Sequence, residues 1–145
     1  MGNKTCPEEL IKMISTKGRY ALRVMIDLAE QKEDHPVPLK EIAERQGISK
    51  KYLEIIMKEL VDGKLVRGAS GKGGGYVLLR KPEDYSVGEI VELMEGTLAP
   101  VACLQKGADP CPRVGACSTL PIWQEMDQMV HDFLYRKKLT DAMPK

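Results

Sequence analysis

No run of apolar residues in this sequence approaches the roughly 20 that a membrane-spanning helix needs, so no segment is expected to cross a bilayer. The opening dozen residues, Met1 to Lys12, lack the basic start, apolar middle and small-residue cleavage site of a secretory signal. A cytoplasmic protein is expected. Histidine is scarce, at two residues. Neither a nucleophile–base pairing nor a pair of loop carboxylates stands out, so an enzyme is not expected. Internal repeats and low-complexity tracts are absent. A phosphate-binding loop needs Gly, four residues, then Gly-Lys-Ser/Thr. The stretch Gly68-Ala69-Ser70-Gly71-Lys72-Gly73 has the wrong spacing and no hydroxyl after Lys72. The dinucleotide fingerprint fails too, because Tyr76 stands where its last glycine belongs. Net charge is nearly absent: 22 Lys and Arg against 21 Asp and Glu leave +1.

What is present suits one compact domain, or a small domain with an appended segment: 145 residues, 43% apolar and 30% charged. The charge is unevenly spread. Residues 1–80 hold 15 basic and 11 acidic side chains, whereas residues 81–145 hold 7 and 10. Within residues 49–80 the count is 7 against 3, so the excess of the first half sits in that one segment. A local basic stretch on a near-neutral chain suits contact with a polyanion. On charge alone, a solvated face is the simpler reading.

Proline, glycine and capping residues divide the chain. Residues 1–13 show no period and read as a loosely ordered extension. Ala21, Leu22, Met25, Leu28 and Ala29 form one stripe of a helix over Tyr20 to Glu30. His35-Pro36-Val37-Pro38 breaks the chain, and Leu39, Ile42 and Ala43 mark a short second helix ended at Gln46-Gly47. Ser49 is a good N-cap, and Leu53, Ile56, Met57, Leu60 and Val61 follow at helical spacing until Gly63. Helix, tight turn, helix is the outline of a helix-turn-helix. Strands are predicted at Leu65–Arg67 and Tyr76–Leu79, around a glycine-rich tip. That hairpin completes a winged helix.

Ser86 opens a fourth helix, with Glu89 completing a capping box. Val87, Ile90, Val91 and Met94 give its inner face, and Gly96 and Pro100 close it. Residues 101–120 are a loop rich in Cys, Gly and Pro. A last helix runs from Pro121 to about Lys138, with Ile122, Met126, Met129, Val130 and Phe133 on one side. That stripe is more apolar than a lone terminal helix should expose, and pairing with a second copy of the chain would cover it, though packing on its own domain would serve as well. The expected plan is an extension (1–13), a winged-helix domain (14–100), a cysteine loop (101–120) and a dimerisation helix with its tail (121–145). The fold class is mainly α with a small β-hairpin wing.

In a helix-turn-helix the second helix enters the major groove and its first residues meet base edges. Here it starts Ser49-Lys50-Lys51-Tyr52, and the face opposite its apolar stripe carries Lys50, Lys51, Glu54, Ile55 and Lys58. Lysine and serine suit phosphate and guanine acceptors, Glu54 suits a cytosine amino group, and Ile55 suits a thymine methyl. In the wing, Arg67 and Lys72 supply charge for phosphates or the minor groove, and small residues let the backbone come close. Thr16, Lys17 and Arg19 put a hydroxyl and two cations at the start of the first helix, where phosphate binds well and an ordinary cap is equally at home.

Of four cysteines, Cys6 lies in the extension, whereas Cys103, Cys111 and Cys117 form Cys-x7-Cys-x5-Cys. Three closely spaced thiols in a cytoplasmic chain do not make a disulfide framework. Zinc or an iron–sulfur cluster fits better, and a closed site needs a fourth ligand. His131, His35, Asp109, a partner-chain residue and water are the choices.

With these pieces in place the sequence resembles the winged-helix transcriptional regulators that include IscR, NsrR and CymR. The likeness covers about Ile14 to Asp141. It is carried by Ile14-Ser15-Thr16-Lys17-Gly18-Arg19-Tyr20-Ala21, by Glu41 through Ser49, and by Tyr52-Leu53-Glu54. Gly73-Gly74-Gly75-Tyr76-Val77-Leu78 and Val87-Gly88-Glu89-Ile90 complete it. The resemblance implies a homodimer held by its last helix, bound to a near-palindromic double-stranded operator and usually repressing. It implies groove-reading roles for Ser49, Tyr52 and Glu54, with Ile55 in place of a glutamine of IscR. Ser70 takes the place of a wing arginine, which leaves that work to Lys72 or Arg67. Several members bind an iron–sulfur cluster through three cysteines of this loop, which the resemblance places at Cys103, Cys111 and Cys117. The histidine ligand of IscR corresponds to Leu120, and the aspartate ligand of NsrR to Arg19. CymR-like members have no cluster and sense through a partner enzyme; Glu95-Gly96-Thr97-Leu98-Ala99-Pro100-Val101 resembles that branch. A regulator sensing thiol state or a partner, and a metal-bound protein-interaction module, are the alternatives to a cluster-bearing regulator.

Overall fold

Ser15 caps the first helix, its hydroxyl accepting from the Gly18 N–H, and α1 runs Thr16–Glu30. This is four residues earlier than the apolar stripe indicates, because Thr16 and Arg19 face solvent and leave no periodic signal. The computed structural model describes residues 14–31, 35–105 and 115–144, so the expected extension over 1–13 lies outside them. Ala21, Val24 and Met25 of α1 are wholly buried. Burying an aliphatic side chain of this kind contributes about 1.5–3 kcal/mol.

Helices α2 (Leu39–Gln46) and α3 (Lys50–Asp62) form the helix-turn-helix. The turn between them needs Gly47, whose φ of 64° is left-handed and strained for residues with a Cβ. Ser49 Oγ then accepts from the Tyr52 N–H at 3.2 Å and starts α3. A buried carboxylate locks the pair to α1: Asp27 accepts from Arg45 Nε at 3.0 Å and Nη2 at 2.8 Å, and from Gln46 Nε2 at 2.8 Å. The Arg45 guanidinium is held above its ordinary pKa by that hydrogen bond to Asp27, against the opposing effect of burial.

The wing pairs β1 (Val66–Ala69) with β2 (Gly75–Leu78) antiparallel, Val66 opposite Leu78 and Ala69 opposite Gly75. Strand β1 starts one residue and ends two residues later than predicted, and β2 starts and ends one residue earlier. The reason is Tyr85, whose hydroxyl donates to Leu65 O and accepts from the Leu79 N–H, taking two groups the ladder would otherwise use. Val37 adds a single bridge to Tyr76 on the other side of β2.

Helix α4 (Val87–Glu95) has the predicted Ser86–Glu89 capping box and ends on Gly96. Helix α5 runs Leu120–Arg136, and none of its residues is fully buried. A short α6 (Leu139–Ala142), too brief to leave a periodic signal, returns the wholly buried Leu139 to the main core. The tail is therefore part of the winged-helix body as well as an end to α5. Ala21, Met25, Ile42, Leu53, Ile56, Met57, Leu60 and Ile90 make up much of the rest of that core. A second, smaller cluster of Val87, Val91 and Leu98 meets Leu22, Val130 and Leu134, joining α5 to the body.

Candidate nucleic-acid interface and cysteine loop

Burial alternates sharply along α3. Leu53, Ile56, Met57 and Leu60 have no exposed surface, while Lys50, Lys51, Glu54, Ile55 and Lys58 all face solvent. Ile55 keeps 48% of its surface exposed. The helix is thus turned by its core stripe so that its cations, one carboxylate and one bare aliphatic share the outer side. Arg67, Ser70 and Lys72 of the wing are exposed as well. Among the described residues, Lys50, Lys51, Lys58, Arg67 and Lys72 form no ion pair. Their charge is available for phosphates.

The other predicted contacts are more committed to the protein. Ser49 is exposed, but its hydroxyl caps α3. Tyr52 is half-buried, edge-on to Tyr20 with ring centroids 5.9 Å apart, and Arg23 lies over the Tyr20 ring. Lys17 turns to Glu59, with 3.0 Å between Nζ and Oε1, so the nearest partner for its charge is a residue of α3. Arg19 Nη2 donates to Thr16 Oγ1 at 3.2 Å, and both side chains stay exposed.

Residues that position this surface left weaker marks in the sequence. Asp27 is an acidic residue on the apolar side of α1, a pattern that signals a buried partner. Tyr85 is wholly buried. Arg80 lies over its ring at 4.3 Å and pairs with Glu89. That hydrogen bond to Glu89 holds the guanidinium above its ordinary pKa, although burial opposes it. Burial works against the Glu89 carboxylate too, but hydrogen bonds from Arg80 and Ser86 outweigh it and hold its pKa low.

The predicted apolar stripe of α5 is divided. Ile122, Met126, Met129 and Phe133 are 58%, 38%, 66% and 50% exposed, whereas Val130 turns inward onto Val87, Val91 and Leu98. Four residues at i, i+4, i+7 and i+11 form one seam along the outer side of the helix. Opposite it, Tyr135 donates to Glu92 of α4, and burial together with that bond pushes its hydroxyl up to about 12.

Cys103 is exposed and Cys117 half-buried, with Cys117 Sγ 3.4 Å from Thr119 Oγ1. Cys6, Cys111 and Asp109 lie outside the described residues. Thiols at the two ends of one loop are the donor type that an iron–sulfur centre takes, but among the described residues no three His, Cys, Asp or Glu side chains converge. Among the described residues a fourth protein ligand does not emerge. Leu120 is apolar, and His35 is exposed beside the wing base, far along the chain from the loop. His131 Nδ1 lies 2.9 Å from Asp127 O and stands about 16 Å along α5 from Leu120. That distance removes His131 as an own-chain partner for Cys117.

Residues 14–145 match the Rrf2 family, described as an iron-dependent transcriptional regulator. Protein rrf2 of Nitratidesulfovibrio vulgaris is 38% identical over 130 residues, covering 90% of this chain and 86% of that protein. The transcriptional regulator IscR of Aliivibrio salmonicida is 36% identical over 130 residues, 90% of this chain and 76% of its own length. Among solved structures, CymR, the global cysteine regulator of B. subtilis, superimposes with a TM-score of 0.70 at 34% identity, covering 89% of this chain and 94% of that one. IscR of T. potens gives 0.69 at 33% identity, covering 89% and 84%.

Proposed function

The chain belongs to the Rrf2 family of transcriptional regulators, and from that membership we propose that it is a homodimeric, sequence-specific DNA-binding repressor of the cytoplasm. The relatives are regulators of transcription, not enzymes. The observation that carries the reading is the outer side of α3, where Lys50, Lys51, Glu54, Ile55 and Lys58 are exposed over a fully buried stripe. A hydrated helix gains nothing from Ile55 there, while a major groove offers it a thymine methyl. Arg67 and Lys72 add wing contacts to the backbone or minor groove.

The exposed α5 seam of Ile122, Met126, Met129 and Phe133 supports pairing of two chains. Two recognition helices then need to lie about 34–36 Å apart to reach successive major grooves. Cys103, Cys111 and Cys117 would hold an iron–sulfur cluster, which supplies a redox-responsive centre when bound. The chain's own contribution is the coupling. The cysteine loop joins α4 to α5, and the small cluster around Val87, Val91 and Leu98 ties α5 to the body. A loop drawn tight shifts α5, and with it the spacing of the two α3 helices.

The test uses a pool of random-sequence duplexes over a salt series. The affinity is expected to fall steeply with salt, because phosphate contacts release counterions; binding that does not respond to salt favours the protein-interaction module. A second reading is a cluster-free regulator that senses thiol state or a partner enzyme. It is favoured by Leu120 and by the Asp127 contact of His131, which leave no fourth ligand among the described residues of this chain. The visible spectrum of protein purified without oxygen separates the two: charge-transfer bands for the cluster form, no colour for the other.

A further inference from the structure

Besides the Val37 bridge to β2, one side chain closes the wing at its base. Tyr85 is wholly buried, and its hydroxyl donates to Leu65 O at 2.6 Å while accepting from the N–H groups of Leu79 at 2.9 Å and Arg80 at 3.0 Å. Leu65 precedes β1 and Leu79 follows β2. The hydroxyl therefore closes both legs of the hairpin where the ladder stops. Arg80 covers the ring at 4.3 Å and is itself fixed by Glu89 at the start of α4.

The backbone of the same short segment is bound to the far end of α5. The Val87 N–H donates to Lys137 O at 2.8 Å, the Leu139 N–H donates to Tyr85 O at 2.9 Å, and Ser86 bridges Lys138. Tyr85 thus has its carbonyl on the first residue of α6, three residues beyond α5, and its hydroxyl on the wing. The path is short: Lys137 and Lys138 are the two residues between α5 and α6, and Val87 opens α4 directly after Ser86.

We infer that Tyr85 is a positioning residue for DNA recognition, setting the angle of the wing from the orientation of α5. This rests on the DNA-binding reading above. A shift of α5 then moves Arg67 and Lys72 against the duplex within one protomer, in addition to changing the spacing between two protomers. The wing becomes a second output of whatever moves the last helix.

The experiment is a double-mutant cycle on a duplex enriched from the random pool. Tyr85→Phe keeps the ring and removes the hydroxyl. In the wild-type background Lys72→Ala is expected to lower affinity and to reduce the salt slope by about 1, as for the loss of one phosphate contact. In the Tyr85→Phe background Lys72→Ala is expected to change affinity less than about twofold, while Lys51→Ala on α3 keeps its full effect. Equal effects of Lys72→Ala in both backgrounds, or loss of the Lys51 and Lys72 effects together, overturn the positioning role. Should Tyr85→Phe not fold, Arg80→Met, which uncovers the ring and removes the Glu89 pair, takes its place with the same two outcomes. A wild-type protein that binds no duplex overturns the DNA-binding reading and this role with it; a wild type that binds, with an unchanged Lys72 effect, overturns this role alone.

Discussion

Ile55 marks the difference between a surface that is merely solvated and one built to be covered. Its neighbours on α3 are charged, its own side chain is 48% exposed, and it contributes little to the core. Ile55→Ala is expected to leave thermal stability within the range of ordinary surface changes, about 0.5 kcal/mol, and to lower affinity for a selected operator while leaving random-sequence binding unchanged. Calorimetry and a competition assay check the two halves separately. Glu89 offers a test on stability. Its carboxyl is held below the usual range, so its contribution is present above the unfolded value and is lost as pH falls through the folded one. Glu89→Gln keeps a residue able to complete the capping box but removes the ion pair with Arg80. The melting-temperature gap between wild type and Glu89→Gln is expected to be full at neutral pH and to close as pH drops below about 4.3. A gap that stays constant to strongly acidic pH contradicts this.

Among the elements, the α4–α5 contact is the one on which the proposed coupling depends. Gly88 sits where a Cβ would lie 2.4 Å from the Tyr135 ring, so the two helices touch only because one side chain is missing. Gly88→Ala must push Tyr135 aside and disturb its bond to Glu92. A loss of about 1–3 kcal/mol is expected, as for other overpacked contacts, measured by denaturant unfolding. Helix α2 is held differently, by the Asp27 carboxylate. Asp27→Ala leaves Gln46 Nε2 and two Arg45 nitrogens without that acceptor. The expected cost is about 1–3 kcal/mol, with Arg45 still partly solvated. Because the lost bonds set the angle of α2, operator affinity is expected to fall at temperatures where the fold is intact.

For the whole molecule the proposed pairing of two chains rests on the exposed seam of α5. Burying Ile122, Met126, Met129 and Phe133 against a second copy removes four large apolar side chains from water. Met129→Glu places a charge at the most exposed of them and is expected to shift the sedimenting species from about twice 16.2 kDa to 16.2 kDa. Operator binding is expected to weaken with it, since two half-sites are no longer linked. If the cysteine loop governs the spacing of two recognition helices, the triple Cys103/Cys111/Cys117→Ser protein is expected to bind its operator differently from the cluster-loaded form. Equal affinity for the two, measured without oxygen, removes that coupling.

The sequence by itself determined helices α1 to α5, the caps of α3 and α4, and the side that α1 to α4 bury. Periodicity and capping are local, and Ser49, Ser86 and Gly47 act within a few residues of where they stand. It also determined which charges gather in residues 49–80, and the motifs that identify the family. Tertiary structure decided the rest. Asp27 meets Arg45 across 18 residues and Tyr85 reaches Leu65 across 20, separations that leave no periodic trace. Val130 turned inward while its neighbours on the same predicted stripe turned out, because Leu98, beyond the end of α4, packs there. Lys17 went to Glu59, 42 residues away, since only the crossing of α1 and α3 brings the two within reach. A sequence specifies partners at long range only through the sum of its packing, and that sum is what folding evaluates.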